Sequence, residues 1–290
     1  MKIGVLTFLT DRSGSPGAIA QAAENLGFES FYVAEHLAVP TNYATRYPRS
    51  RDGKVPDFYG ALIDPFVALS IAAHTTSHIK LGTAICLLPE RNVIETAKVT
   101  ASIDLYSKGR LILGVGAGWF REEAQLFGVD FKRRWRHLRE AVEALRVLWS
   151  GDDVSYAGEI VKFPSIKVGP KPVQKPAPPI WLGAHDPKYA LKRVARYADG
   201  WCPGGLSVEK ARECIPQIKA LASEYGRNPE NIEFSVLLMG GDGPTADLMK
   251  QYVEAGVSRL VVAASAVAED GVKVLQGLAP IVERAAKVGS

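Results

Sequence analysis

The sequence predicts a (β/α)8 TIM barrel carrying two inserted segments. Three observations lead there. Apolar runs of strand length alternate with helical patterns along nearly the whole chain. The runs are almost continuously apolar, as expected of parallel strands buried on both faces. Eight strand–helix units fit within 290 residues, a length common for one barrel, so residues 1–290 are read as one domain. A doubly wound sheet is the runner-up, because strand order is not readable from sequence.

The elements follow in order. "KIGVLTF" is a first strand and "PGAIAQAAENLGF" a helix; "SFYVAEH" is the second strand. "DPFVALSIAAHTT" is helical, "IKLGTAICLL" a strand, "VIETAKVTASIDLYS" a helix and "RLILGVG" the fourth strand. "RHLREAVEALRVLW" is an amphipathic helix with Leu138, Val142, Leu145 and Trp149 on one face. "PPIWLGA", "DGWCPG", "EFSVLLMGG" and "SRLVVAAS" supply the last four strands, with helical stretches between them and after the last. The two insertions are a polar loop over 38–60 and the segment 151–179, where "SYAGEIVKF" reads as a hairpin and "GPKPVQKPAPP" as an extended connector. Long loops inside a compact domain tend to be functional or disordered.

Composition narrows the function classes. No stretch approaches the 18 apolar residues of a membrane span. "MKIGVLTFLT" runs into Asp11 and Arg12 without a small-residue cleavage site and reads as a strand, not a signal peptide. Three cysteines, Cys86, Cys202 and Cys214, without C-x-x-C spacing point to a reducing cytoplasm and to neither a disulfide frame nor zinc. A net charge of +4 admits an anionic ligand but does not suggest nucleic acid.

"GRLILGVGAGWFREEAQLFG" resembles at first a dinucleotide-binding turn. Its glycines, Gly114, Gly116 and Gly118, give G-x-G-x-G on the fourth strand, and Trp119 stands where close helix–strand packing needs a third, later glycine. The Rossmann reading is therefore rejected. Two readings remain at this point: the glycines let a flat ligand approach the backbone, or they only permit a tight turn.

"GFESFYVAEH", "IKLGTAICLLPERN", "SKGRLILGVGAGWFREEAQLFGV", "PPIWLGA" and "YADGW", in this order across almost the whole chain, resemble the luciferase-like flavin monooxygenase superfamily, and within it the branch dependent on the deazaflavin coenzyme F420. The resemblance implies a barrel with an insertion, commonly dimeric, with the cofactor ring across its mouth. It implies that Glu35 and His36 meet the ring and the reacting substrate. It implies that Thr83, Ala84 and Ile85 form a bulge under one ring face, with a non-proline cis peptide among them. It implies that Gly116, Ala117 and Gly118 lie beside the ring or its ribityl chain. Gly183, Ala184 and His185 map to a phosphate loop ahead of a helix N-terminus, where anions are favoured. In this branch's sugar-phosphate dehydrogenases a glutamate follows the strand-four glycines and acts as an acid. Here that residue is Trp119, which leaves the acid unassigned and argues against sugar phosphates.

His36 is the expected acid–base residue, since imidazole titrates near neutrality and can exchange a proton with an alcohol or carbonyl oxygen as hydride moves. Glu35 orients His36, bonds the cofactor or pairs with an arginine. His74 and His78 lack an H-E-x-x-H context and are not read as metal ligands. Cys86 is read as core. "KRRWRHLRE" is a solvated helix face or an anion site at the helix start, and "GGDGPT" borders the site. In the loop over 38–60, Arg46, Arg49, Arg51 and Lys54 are candidate clamps for the cofactor's anionic tail. The expected function is F420-dependent hydride transfer to or from a small organic substrate. The alternatives are an FMN monooxygenase fed by a separate cofactor reductase, and a non-catalytic flavin carrier. A homodimer is expected, with no metal, nucleic-acid or membrane partner.

Overall fold

The computed structural model describes residues 1–240, 243–264 and 270–288. Eight parallel strands close into a barrel: β1 (Lys2–Thr7), β2 (Ser30–Val33), β3 (Lys80–Thr83), β4 (Leu111–Val115), β7 (Ile180–Leu182), β8 (Gly200–Trp201), β9 (Glu233–Leu238) and β10 (Arg259–Ala263). Closure is made by β1 on β10, with Gly4 beside Val261, so no edge is left unpaired. The helices α1 (Pro16–Asn25), α2 (Pro65–Thr75), α3 (Val93–Tyr106), α4 (Arg121–Leu126), α5 (Arg134–Ser150), α6 (Pro187–Tyr197), α7 (Val208–Glu224), α8 (Ala246–Glu254) and α9 (Gly271–Ala286) connect them. The hairpin β5 (Asp153–Ala157) and β6 (Lys162–Lys167) stands apart from the barrel as an antiparallel pair. The barrel and the hairpin both follow the sequence pattern, and the doubly wound alternative falls with the closure.

Local signals set the helix starts. Asp64, Asn92, Asp186, Ser207, Thr245 and Asp270 each cap a helix by accepting a backbone N–H, and Pro65 and Pro187 occupy first helical positions where no N–H is needed. The predicted face of α5 is buried: Leu138, Val142 and Leu145 are inaccessible and Trp149 is 3% exposed.

The structure departs from the sequence pattern in two places. "IKLGTAICLL" is not one strand. β3 ends at Thr83, the Ala84–Ile85 peptide is cis, and pairing resumes only at Cys86 opposite Val115. The polar loop is also less irregular than its composition indicates, since residues Asp57–Ala61 form a 3-10 turn. That turn is held by aromatic packing that no local periodicity reports: Phe58 lies 5.7 Å from Phe8, and Tyr59 packs within an apolar cluster of Val55, Phe120, Tyr43, Tyr47 and Trp119.

At the N-terminal end of the strands Arg259 is 2% exposed, donates Nε to Glu29 at 2.7 Å, lies 3.2 Å from Glu233 and stacks 4.6 Å over Trp181. This cation closes that end of the barrel, which leaves the C-terminal end as the place where a ligand can enter.

Candidate active site

The C-terminal strand ends present an apolar floor. Phe8 after β1, Ala84 after β3, Leu237 on β9 and Ala263 on β10 are half-buried against the inner cluster that holds Tyr32, Trp181 and Cys202. Such a floor suits a flat heteroaromatic ring. The Ala84–Ile85 bulge lies at its edge, within the three residues where the resemblance placed a cis peptide.

The glycines after β4 and β7 have a role that neither sequence reading named. A side chain at Gly116 or Gly183 would run into Ile85, at 2.7 Å for Gly183, so the space they leave admits that side chain from the bulge rather than a ligand. Gly118 is a genuine turn position, with φ +76°, and its Cα faces Glu90 so closely that a Cβ would lie 2.8 Å from Oε1. Ala117 between them is 2% exposed. The strand-four turn and the strand-seven turn therefore hold the bulge from two sides.

Consecutive residues of extended chain point to opposite faces, and this separates Glu35 from His36. Glu35 leaves the mouth. It is 4% exposed, accepts from Leu87 N at 2.5 Å and from Arg91 Nε at 2.7 Å, and Arg91 reaches on to Asp64 at 2.6 Å. Burial and the neighbouring Glu35 carboxylate push the Cys86 thiol well up, so Cys86 is an inert core thiol. Of the three sequence readings of Glu35, pairing with an arginine is the one the structure shows. The expectation that it meets ring and substrate is corrected.

His36 meets a different acid. Its Nδ1 lies 2.5 Å from Glu123 Oε2, and Glu123 Oε1 accepts the backbone N–H groups of Leu37 at 2.8 Å and Ala38 at 3.2 Å. A wholly buried carboxylate receiving two N–H donors is an acceptor, so the proton in the third contact rides on the ring. Nδ1 is thereby fixed as N–H, and Nε2 makes no hydrogen bond among the described residues. The ring is held between Tyr59 at 4.6 Å and Trp119 at 5.7 Å. The carboxylate missing at position 119 thus arrives four residues later, in the first turn of α4. "REE" directly after the glycine turn was the available signal, because acids favour a helix's first turn. The adjacent Glu122 fastens the loop: it accepts from Ala44 N at 2.8 Å and Thr45 N at 3.2 Å. Burial raises its carboxyl, but those donors and the Thr45 hydroxyl outweigh this and hold it at about 2.

His185 accepts the Gly204 N–H on Nδ1 at 2.9 Å, which ties the β7 turn to the β8 turn. Burial lowers its basicity, and so does Arg49, whose guanidinium lies against Gly204. The loop between β2 and α2 therefore crosses the mouth from His36 to the β7 and β8 turns. The N-terminus of α6 already carries a carboxylate, since Asp186 accepts from Lys188 N at 3.0 Å. Of the other loop cations, Arg46 turns back onto its own loop, donating to the Arg51 carbonyl at 3.3 Å. Within "KRRWRHLRE", Arg133 and Arg136 pair with Glu159, while Arg134 stacks 3.9 Å over Phe131 and donates to Gly118 O at 3.1 Å. His74 and His78 are exposed on the outside of the barrel, and no group of metal-ligating side chains occurs among the described residues. In "GGDGPT", Gly241 and Asp242 lie outside the described residues. The three cysteines are buried and unpaired, and no described helix is long and apolar enough to cross a membrane.

Comparison with known proteins places this geometry. Residues 10–272 match the model of the luciferase-like monooxygenase family. An uncharacterised protein of Mycobacterium tuberculosis is 36% identical over 264 residues, 90% of this chain and 91% of that one. The phthiodiolone/phenolphthiodiolone dimycocerosates ketoreductase of Mycobacterium bovis is 30% identical over 219 residues, 73% of this chain and 56% of that one. The solved structure of an F420-dependent secondary alcohol dehydrogenase superposes with a TM-score of 0.74 at 18% identity, covering 97% of this chain and 98% of that one, a likeness of fold. That dehydrogenase is in complex with an F420–acetone adduct, and a type II Baeyer–Villiger monooxygenase of Pseudomonas putida with the same fold is in complex with FMN. With its closed barrel, its inserted hairpin and its match over nine-tenths of its length, the chain belongs to the luciferase-like monooxygenase family.

Proposed function

We propose that the protein is an F420-dependent oxidoreductase that moves hydride between the deazaflavin and a carbon bearing an alcohol or carbonyl oxygen. The observation that carries this reading is the His36–Glu123 pair at the barrel mouth, with Nδ1 held and Nε2 open. When bound, the deazaflavin supplies hydride donation or acceptance at one ring carbon. His36 does the proton work: Nε2 takes the hydroxyl proton of an alcohol, or returns one to a carbonyl oxygen, in step with hydride transfer. Glu123 stabilises the imidazolium that forms and keeps the ring in one orientation. Tyr59, Tyr47 and Trp119 wall the ring off from water, with the two phenols bonded at 2.9 Å. The strand-end floor fits the cofactor ring, and the bulge residues Thr83, Ala84 and Ile85 with Gly116, Ala117, Gly118, Gly183, Ala184 and His185 frame it. Glu35 is a positioning residue in this scheme. Support for a ketone or alcohol substrate comes from the ketoreductase relative.

The choice of F420 over FMN rests on the family resemblance and on cations near the mouth. Arg49 reaches across it, and Arg121, Arg134 and Arg193 lean on Phe131 and Trp135 without an ion pair among the described residues. These suit a phosphodiester with a glutamate tail. Titrating the purified protein with each cofactor tests the choice, because the two absorb at distinct wavelengths. F420 is expected to bind much more tightly than FMN. Equal or tighter FMN binding, with oxygen consumed when reduced FMN is supplied, would instead make the protein a monooxygenase served by a separate reductase.

Arg49 gives a second expected result. Exposed charge pairs contribute about 1 kcal/mol or less and weaken with salt. Arg49→Ala should loosen F420 several-fold at low salt, less at high salt, and FMN less than F420. Equal losses for both cofactors would show that Arg49 shapes the mouth without touching the tail. A second copy of the chain is the expected partner, in a reducing compartment. Apolar α2 supports this, with Val67 55% and Ile71 40% exposed.

A further inference from the structure

Five aromatic rings surround His36 at the mouth. Tyr59 lies 4.6 Å from the imidazole, and Trp119 meets it edge-on at 5.7 Å with the planes 73° apart. Tyr47 touches both, 5.5 Å from Tyr59 and 5.4 Å from Trp119. Phe58 packs 4.9 Å from Tyr59, and Phe8 stands 5.7 Å from Phe58 and 6.3 Å from Tyr59. Phe8 also belongs to the strand-end floor, so the rings rise directly from the place where the cofactor ring fits. Three distant parts of the chain supply them: the end of β1, the loop over 38–60 and the β4 turn.

Phe8, Tyr47, Phe58 and Trp119 are each only half-buried. Apolar ring surface therefore remains beside the unbonded Nε2 for a ligand to cover. The polar capacity of this wall is small and uncharged. The Tyr47 and Tyr59 hydroxyls bond each other at 2.9 Å, which leaves the pair one O–H to donate. The two acids of α4 are occupied: Glu123 by His36 and two loop N–H groups, Glu122 by two more. Arg49 lies against Gly204, on the far rim. A cation among the rings would thus have no carboxylate to meet, and an anion would have only His36. Such an anion would occupy the group that must exchange the proton.

We propose that these five rings are the substrate subsite, that it takes an uncharged molecule whose alcohol or carbonyl carbon carries apolar groups, and that Trp119 sets how large those groups can be. The proposal names the substrate class of the site described above and rests on His36 as its acid–base group. The substrate oxygen meets Nε2, and its apolar flanks lie against the rings. A charge on a flank would leave water without gaining a partner, so a charged molecule of the same shape is refused. Trp119 is suited to set the size because it is backed by the core. It stacks on Phe120 at 5.0 Å with planes 9° apart, and Phe120 is 1% exposed.

The test uses non-reacting probes and needs neither cofactor nor turnover. Cyclohexanecarboxamide, cyclohexanecarboxylate and cyclohexylmethylammonium share one shape and differ in charge. Each is titrated by NMR into the full-length protein at pH 8, above the usual imidazole range. Two signals are followed: the Trp119 indole N–H, identified by Trp119→Phe among five tryptophans, and the His36 ring, identified by His36→Asn among five histidines. The amide should shift both signals and saturate. Either ion should need at least about 10-fold more for the same shift. No shift with the amide, or equal binding of either ion, overturns the charge rule. Adamantane-1-carboxamide then tests size. Its binding relative to cyclohexanecarboxamide, read at the His36 ring, should rise by about 10-fold or more in Trp119→Ala and by less in W119F. An unchanged ratio in W119A overturns the role of Trp119. If W119A does not fold, an unchanged ratio in W119F overturns it instead. Failure of F420 binding would remove the proposed activity and leave these titrations standing.

Discussion

His36→Asn should lower turnover by about two orders of magnitude or more, the usual loss when a general acid–base group is removed. Cofactor binding should stay nearly intact, because the floor beneath the ring is built from Phe8, Ala84, Leu237 and Ala263, not from the imidazole. Asparagine can still offer its side-chain amide to Glu123 Oε2, so the buried carboxylate is not stranded. Steady-state rates with a panel of small alcohols and ketones, beside a cofactor titration, measure both quantities. An unchanged rate would make His36 a structural residue clasped by Glu123. It would also bring forward the reading of the protein as a cofactor carrier without turnover.

Glu35→Ala should cost about 3–5 kcal/mol of folding stability, the range for breaking a buried ion pair by removing one partner. The magnitude follows from what is stranded. Arg91 keeps Asp64 as its one ion-pair partner among the described residues, with Phe66 beneath its guanidinium, and the Leu87 N–H is left without its acceptor beneath the bulge. Denaturant unfolding of the two proteins measures this. Normal stability with lost turnover would return Glu35 to the reacting groups, where the family resemblance had placed it beside His36. The two adjacent residues of "VAEH" are thus expected to fail differently, one in chemistry and one in folding.

Much of this architecture was legible because it is written locally. Continuous apolar runs of strand length and helical periods give the order of elements, and the caps at Asp64, Asn92, Asp186 and Ser207 mark helix starts. The hairpin over 151–179 shows in its turn residues and prolines, and the amphipathic face of α5 in the spacing of Leu138, Val142 and Leu145. His36 and the bulge were reachable only through the family resemblance, since a lone histidine at a strand end has no local signature.

The sequence alone determined the series of strands and helices and the polar loop after β2, because backbone propensity, hydrophobic period and turn chemistry act over a few residues. Only the tertiary structure decided the partners. His36 and Glu123 are 87 positions apart, Glu35 and Arg91 are 56 apart, and Gly183 meets Ile85 across two strands. Closure of the barrel brings these together. Carboxylates of one kind, at Glu35, Glu122 and Glu123, then become an ion-pair member, a loop fastener and a histidine partner. Burial and the donors that reach each one set those differences, and neither depends on sequence neighbours alone.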